Sequence, residues 1–335
     1  MSVVGPRRIA YILWRFPVLS ETFILNELLC LREDHPEVRC TVYSAKRPVG
    51  TVVHAGAGCF AHPHLYIPSL FSLQGLMGIT RAALRTKGTA ALLSELVREI
   101  EYPPWSGAWL HAAAKRLHYL GKALILLDRG TFASADHIHA HYAEGPAMIA
   151  RVAGRLANVP FSFTSHAHDL FQNTDTGLIA GVMADSSFAV TISAYNSSLI
   201  RARGWAESAK VHVIHCGIDT GRFTPKRNGN ARRHAVRVLT VARLVEIKGI
   251  EETIAACARL RSPEGLRYDI AGEGPLRPVL EARIRAHGLQ DRVRLLGARP
   301  SAEVRELLRT ADIFVLNCRT SANGNQDGIP VVLME

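Results

Sequence analysis

Aromatic residues are scarce, 7% of 335, and no array of them is spaced for stacking on bases. No recognition-helix motif appears and the basic residues are dispersed, so nucleic acid is a poor partner. The six cysteines, Cys30, Cys40, Cys59, Cys216, Cys257 and Cys318, form no C-x-x-C pair. That argues against a cysteine zinc site or a disulfide framework and fits a reducing cytoplasm. No stretch is long and charge-free enough to span a bilayer. The apolar run after Arg7 and Arg8 is too short for a signal segment and reads as a first strand. Acidic residues are outnumbered, 29 against 40 basic, leaving a net charge of +11. The chain should attract anions, with anionic lipid and phosphorylated small molecules as candidates.

What is present is a repeated alternation of short apolar runs and helical patterns, the signature of βα units and parallel sheets. Strands are expected at 7–14, 38–44, 137–141, 161–164, 188–192 and 211–214. Helices are expected at 21–31, with Ser20 as its cap, and at 145–157 and 194–203. Between about 70 and 129 the pattern is helical and basic, broken at Pro103-Pro104. Residues 225–235 are polar with Gly and Pro and read as a linker. The alternation restarts with strands at 236–241, 267–271, 292–296 and 313–316. Helices are expected at 250–261, 275–287 (ended by Gly288) and 301–310, and a last one with Pro330 at its first position. The expected architecture is α/β: two doubly wound, Rossmann-like domains, 1–224 and 236–335, facing a cleft.

In such sheets ligands bind beyond the carboxyl ends of the strands. Four segments fall there. Arg243 and Lys248 share one loop and can neutralise a diphosphate or the charge on a leaving nucleotide; a solvated basic loop is the plainer alternative. Gly272-Glu273-Gly274 permits close backbone approach to a ligand, or is only a strand-to-helix turn, since the third glycine of a dinucleotide fingerprint is missing. Asp327 precedes the last expected helix, and Glu335 lies about two turns later near the same face; Asp327 could equally be a cap. His166, His168 and Asp169 follow a strand, where a histidine can donate to a sugar oxygen or polarise a reacting group. His137, His139 and His141 share one strand face and read as satisfied strand histidines rather than metal ligands. Ser20 and Glu21 open the first helix, as a cap or facing an acceptor. Arg81, Arg85, Lys87, Arg98, Lys115, Arg116, Lys122 and Arg129, interleaved with Leu, Phe and Trp, suit a membrane face or a solvated helical insertion.

These residues together resemble the retaining glycosyltransferases of family 4, which have the GT-B fold, and among them bacterial exopolysaccharide enzymes of the colanic acid type. The resemblance is carried by Phe16–Ile24 (FPVLSETFI), His137–Tyr142 (HIHAHY), Phe161–Asp169 (FSFTSHAHD), Ile214–Asp219 (IHCGID), Val241–Gly249 (VARLVEIKG) and the E-x7-E-like spacing of Asp327 and Glu335. It implies that Arg243 and Lys248 take the donor diphosphate and that Gly272, Glu273 and Gly274 lie on the nucleotide side. It places Asp327 near the transferred sugar, Glu335 on the ribose and His166 near the scissile bond. It further implies no metal or other cofactor and retention of configuration. The implied partners are a UDP- or GDP-sugar, a lipid-linked oligosaccharide acceptor and the cytoplasmic face of a membrane, with no nucleic acid. The first acid is Asp where the family commonly has Glu. Family members continue past the position of Glu335, so the second domain is expected to be incomplete. The competing expectation is a truncated, inactive remnant that only binds membrane or a partner.

Overall fold

The computed structural model describes residues 8–48, 54, 56–62, 65–172, 175–224, 235–260, 265–322 and 324–335. The 225–234 part of the expected linker lies outside the described residues. The chain divides into two units: Met1–Val18, Glu27–Val49 and Gly56–Cys216 in one, Leu19–Asn26, Gly50–Ala55 and Gly217–Glu335 in the other.

The first unit opens with β1 (Arg8–Arg15), the Glu27–Asp34 part of α1 (Thr22–Asp34) and β2 (Arg39–Lys46). Three helices follow: α2 (Leu73–Arg85), α3 (Thr89–Arg98) and α4 (Gly107–Asp128). Next come β3 (His137–His141), α5 (Gly145–Ala157), β4 (Phe161–Ser165), α6 (His168–Phe171), α7 (Thr176–Asp185), β5 (Phe188–Thr191), α8 (Ala194–Ala202) and β6 (Val211–Val213). The six strands form one sheet in the order β2-β1-β3-β4-β5-β6, every pair parallel. A parallel sheet covered on both faces needs nearly continuous apolar strands. Accordingly Ala10–Leu13 in β1 and the whole of β4 are buried. The core joins these strands to α4, α5 and α7 through Ile12, Leu124, Ile138, Met148, Phe163 and Ile179.

Three expectations are corrected here. Helix α1 begins at Thr22, so Ser20 lies in an exposed turn two residues ahead and is not the cap. Helices α6 and α7 were not expected. Asp175 caps α7 by accepting from the Leu178 N–H at 3.1 Å. Finally, two of the basic residues assigned to an outward face point inward. Arg116 is fully buried and forks Asp175 at 2.6 and 3.0 Å. The buried Lys122 ammonium donates to the carbonyls of Ala45, Ile67 and Pro68, and burial pulls its pKa down to about 8. Such groups must be paired to be buried at all, which an exposed basic helix would not require.

The second unit holds β7 (Val236–Val241), α9 (Ile250–Ala258), β8 (Leu266–Ala271), α10 (Arg277–Ala286), β9 (Val293–Gly297), α11 (Ser301–Thr310) and β10 (Ile313–Phe314). Its parallel sheet runs β10-β7-β8-β9, over a core that includes Leu244, Ile254, Tyr268, Ile270 and Leu280. Gly288, at φ +62, ends the helical stretch as its position predicts. The helix expected after Pro330 is instead a single 3₁₀ turn, Val331–Leu333, with Pro330 extended ahead of it. In this turn Leu333 N–H donates to Pro330 O, and Met334 N–H and Glu335 N–H both donate to Val331 O. Glu335 therefore does not lie two helical turns beyond Asp327.

Candidate functional site

In the second sheet the chain leaves β7 toward β8 and β9, then returns to place β10 on the other side of β7. The β7/β10 boundary is thus the topological switch point, the place at which open parallel sheets generally bind ligands. The two loops are 242–249, which includes a 3₁₀ turn at Glu246–Lys248, and the segment after Phe314. Lys248 and Asp327 meet there. The ammonium is 2.7 Å from Oδ2 of Asp327, with side-chain exposures of 11% and 19%. The Cys318 thiol donates to the same oxygen at 3.3 Å, and burial, with the nearby Asp327 charge, pushes its pKa up to about 11, so it stays protonated. Arg319 ties the loops together, donating to Oε1 of Glu246 at 2.9 Å and Oε1 of Glu252 at 2.6 Å. Gly249, at φ +58, lets them touch: a Cβ there would lie 1.8 Å from the Asn317 carbonyl oxygen.

Arg243 is exposed on the same loop, and among the described residues its side chain forms no ion pair. The loop thus carries one paired and one available cation at the switch point. Gly272 and Gly274 act differently from their first reading. A Cβ on Gly272 would meet the Ala242 carbonyl oxygen at 1.8 Å, and one on Gly274 the Leu244 carbonyl oxygen at 2.5 Å. Leu244 N–H donates to Glu273 O at 2.9 Å. The glycines seat the loop after β8 against the loop that carries Arg243. The Glu273 carboxylate pairs with Arg277 at 2.8 Å. Glu335 is half-buried, burial raises its pKa, and among the described residues its carboxylate makes no hydrogen bond or ion pair.

In the first unit the switch point lies between β1 and β3. His166, just after β4, is buried; its backbone N–H donates to Oδ1 of Asp169 at 2.9 Å and its carbonyl accepts from Asn196 at 2.8 Å. Asp169 also accepts from the Ala143 N–H at 2.7 Å, clamping the mouths of β3 and β4 together. It is a bracing carboxylate, and His168 beside it is exposed. His137 contacts Ser162 Oγ at 2.6 Å; His139 bonds Ser162 Oγ at 2.8 Å and Thr164 Oγ1 at 3.1 Å. Both therefore act as partnered strand histidines. Burial holds His139 neutral, with its pKa near 3, and drives that of His166 well below the usual range.

His141 differs from its two neighbours. Its Nδ1 lies 3.1 Å from Nε2 of His166, and its Nε2 lies 3.5 Å from Glu27 Oε1 on α1. Tyr11 on β1 donates to the same carboxylate oxygen at 2.9 Å. Burial opposes the Glu27 charge, but His141, His139 and the Tyr11 hydroxyl prevail and hold its pKa near 2. Glu27 escaped the sequence reading because an acid in a helix ordinarily faces water. The same geometry brings ligand atoms of Glu27, His139 and His141 within 4.8 Å of one another. A cation there would have to displace one of the hydroxyls held by His139.

Residues 80–222 match the family Glycosyltransferase Family 4, and residues 224–335 match Glycosyl transferases group 1. The putative colanic acid biosynthesis glycosyltransferase WcaL of Escherichia coli K12 is 40% identical over 127 residues, 38% of this chain and 31% of that protein. The amylovoran biosynthesis glycosyltransferase AmsK of Erwinia amylovora matches to the same extent. These matched stretches span about a third of either relative's length. WcaL of Salmonella typhimurium is 27% identical over 98% of this chain and 79% of its own. Among solved structures, Anabaena HepE in complex with UDP and glucose superposes with a TM-score of 0.60 at 16% identity, over 92% of this chain and 74% of HepE. Two parallel α/β units thus follow one another in the chain, as in the GT-B fold, a Glycosyltransferase Family 4 match ahead of a Glycosyl transferases group 1 match.

Proposed function

We propose that this chain transfers a sugar, with retention of configuration, from a UDP- or GDP-sugar to a lipid-linked oligosaccharide in the assembly of a cell-surface polysaccharide. The observation that carries the reading is the Lys248–Asp327 pair at the β7/β10 switch point, with Arg243 available on the same loop. An ammonium and a guanidinium on a rigid loop can take the donor diphosphate and the charge that develops on the leaving nucleotide. The reading therefore needs no metal. Asp327, shared between Lys248 and the Cys318 thiol, is the acid assigned to the sugar, and Glu335 the one assigned to the ribose. His166 is assigned to the sugar side in the first unit. HepE, crystallised with UDP-glucose, and the colanic acid and amylovoran biosynthesis in the names of WcaL and AmsK support the donor class and the pathway type.

The acceptor side of the proposal draws on α2. Phe71, Leu73, Leu76, Met77 and Leu84 are exposed on it or just before it, Phe71 at 89% and Leu84 at 83%. Arg85 and Lys87 are exposed beside them. Apolar side chains flanked by cations suit a helix lying on the anionic, cytoplasmic face of a membrane, where a lipid-linked acceptor is found. Calorimetric titration with UDP-glucose and GDP-mannose tests the donor half: saturable binding of at least one nucleotide class is expected, and absence of binding to UDP, GDP and their sugars would overturn it. A second reading is a protein that binds membrane or a partner without catalysing transfer. Sugar transfer by this chain that is lost in Lys248→Ala would exclude it.

A further inference from the structure

The exposed apolar side chains of the first unit follow a pattern that extends past α2. On α2, Leu73, Leu76, Met77 and Leu84 share one face by helical spacing, opposite the buried Gly75, Gly78 and Ala82. The buried face sits on α4. A Cβ on Gly121 would meet the side chains of Leu70 at 3.1 Å and Ile79 at 3.4 Å, and one on Gly78 would meet Ile125 at 3.6 Å. Arg81 forks Asp128 at 3.0 and 2.6 Å. Leu110, Ala114, Leu117 and Gly121 share one face of α4 by the same spacing, and Leu110 and Leu117 are exposed. From Gly121 onward α2 covers that face. The outer stripe of α2 and the first half of α4 therefore look the same way, stepped by one helix-packing distance of about 8–10 Å. An aromatic turn precedes the α4 stripe. Pro103 and Pro104 are exposed there, and Trp105 is 77% exposed at a left-handed φ of +63. Its ring lies 4.9 Å from that of Trp109, between centroids. Charge follows the same layout. No acidic residue occurs between Glu37 and Glu95 or between Glu101 and Asp128. Glu101 is engaged by Thr176, and Asp128 and Glu144 are neutralised by Arg81 and Lys115. Arg85 and Lys87 are exposed. Among the described residues no helix is long and apolar enough to cross a membrane, so a lipid contact here is with a surface.

We infer that the first half of α4, from the Trp105 turn to Leu117, is a second lipid-contacting surface, with Trp105, Trp109 and Leu110 among the headgroups of an anionic bilayer. The inference rests on the membrane contact proposed for α2 and adds to it a depth and an orientation. An interfacial helix buries its apolar face by about 5–10 Å, close to the step between the two stripes. The outer leucines of α2 then reach the acyl boundary while the α4 stripe stays at headgroup level. Indole rings favour that level, having an apolar body and a polar N–H. Arg85 and Lys87 supply the attraction to anionic lipid.

Vesicles of phosphatidylcholine containing about a third phosphatidylglycerol, mixed with the full chain, test it. The chain should sediment with them, and roughly tenfold or more weakly with pure phosphatidylcholine. Its tryptophan emission should shift to the blue and be quenched by brominated lipid. Trp14 is half-buried under Lys46 and Trp205 is buried, so Trp105→Phe with Trp109→Phe should remove that response. Leu117→Glu should weaken sedimentation by about tenfold or more. Trp105→Ser, at an exposed position, should weaken it as well without altering the circular dichroism spectrum. Sedimentation without quenching overturns the inference. So does binding that Leu76→Glu on α2 abolishes while Leu117→Glu and Trp105→Ser leave it unchanged, in which case the α2 contact stands alone. A wild type that does not sediment overturns both contacts. A lipid-free dimer that Leu117→Glu dissociates gives the stripe to a second copy of the chain and also overturns it. Failure of the wild type to bind UDP, GDP or their sugars sinks the donor half of the proposed function, and the vesicle result is read independently of it.

Discussion

Asp327 holds Lys248 at 2.7 Å, so an incoming diphosphate must compete with a carboxylate for the same ammonium. Replacing Asp327 with Asn keeps the shape, removes the competing charge and frees Lys248 for the phosphates. A carboxylate about 4 Å from a phosphate oxygen opposes it by about 4 kcal/mol at an effective dielectric of roughly 20, before solvent and salt are counted. The pair is mostly but not fully buried, so screening should leave about 1 kcal/mol, or roughly fivefold in affinity. Asp327→Asn is therefore expected to bind UDP about fivefold more tightly than the wild type, although the same substitution removes the acid assigned to the sugar and should abolish transfer. Lys248→Ala should weaken UDP by about tenfold or more, because it deletes the cation and leaves the Asp327 charge facing the phosphates. Calorimetric titration at two salt concentrations measures both, and the differences should shrink at the higher one. If Asp327→Asn weakens UDP as much as Lys248→Ala does, or if Lys248→Ala leaves UDP binding unchanged, the competition argument is wrong.

Three further outcomes follow from the packing. Arg116→Ala leaves Asp175 buried without its cation and should destabilise the first unit by about 3–5 kcal/mol, read as a lowered denaturant midpoint; Arg116→Met with Asp175→Asn should recover part of that loss. Gly272→Ala places a methyl group against the Ala242 carbonyl oxygen at a φ of +148 and should destabilise the second unit by about 2 kcal/mol or more, seen in its thermal unfolding. His139 stays neutral in the folded protein down to about pH 3, whereas its ordinary value is 6.5. The unfolded chain therefore binds the extra proton first, and stability should fall as pH drops from 6.5 toward 3. Urea midpoints across that range should decline less steeply in His139→Gln.

The strand rhythm was legible because each parallel strand is a short apolar run, and the residues proposed for the donor could be singled out because each comes after such a run. Lys248 and Asp327 lie 79 positions apart, yet both could be placed at strand mouths, and the β7/β10 neighbourhood brings them together. Thr176–Asp185 was missed because its inward and outward positions are both largely apolar, which leaves no helical alternation to see. Arg116 and Lys122 were misassigned because a basic residue in a helix gives no local sign of a buried carboxylate or carbonyl cage waiting for it. Glu27 was missed for a related reason: its partners Tyr11 and His141 belong to strands that become neighbours only once β3 inserts beside β1. The glycines at 272 and 274 were noticed for the right property, close backbone approach, but what approaches them is the loop after β7.

The Lys122 cage also bears on self-association. β2 is an edge strand, and an unpaired edge invites a strand from another molecule. Here Ser44 exchanges backbone bonds with Leu65 and Ile67, and Lys122 occupies the carbonyls of Ala45, Ile67 and Pro68. That border is closed to a foreign strand along those residues. The opposite border, β6, has three residues, and β10 has two. Among the described residues, the five-residue β9 is a border strand with no such covering. Aggregation that begins from the folded state should therefore start at Val293–Gly297, and a charge-reversed or proline-bearing variant there should delay it.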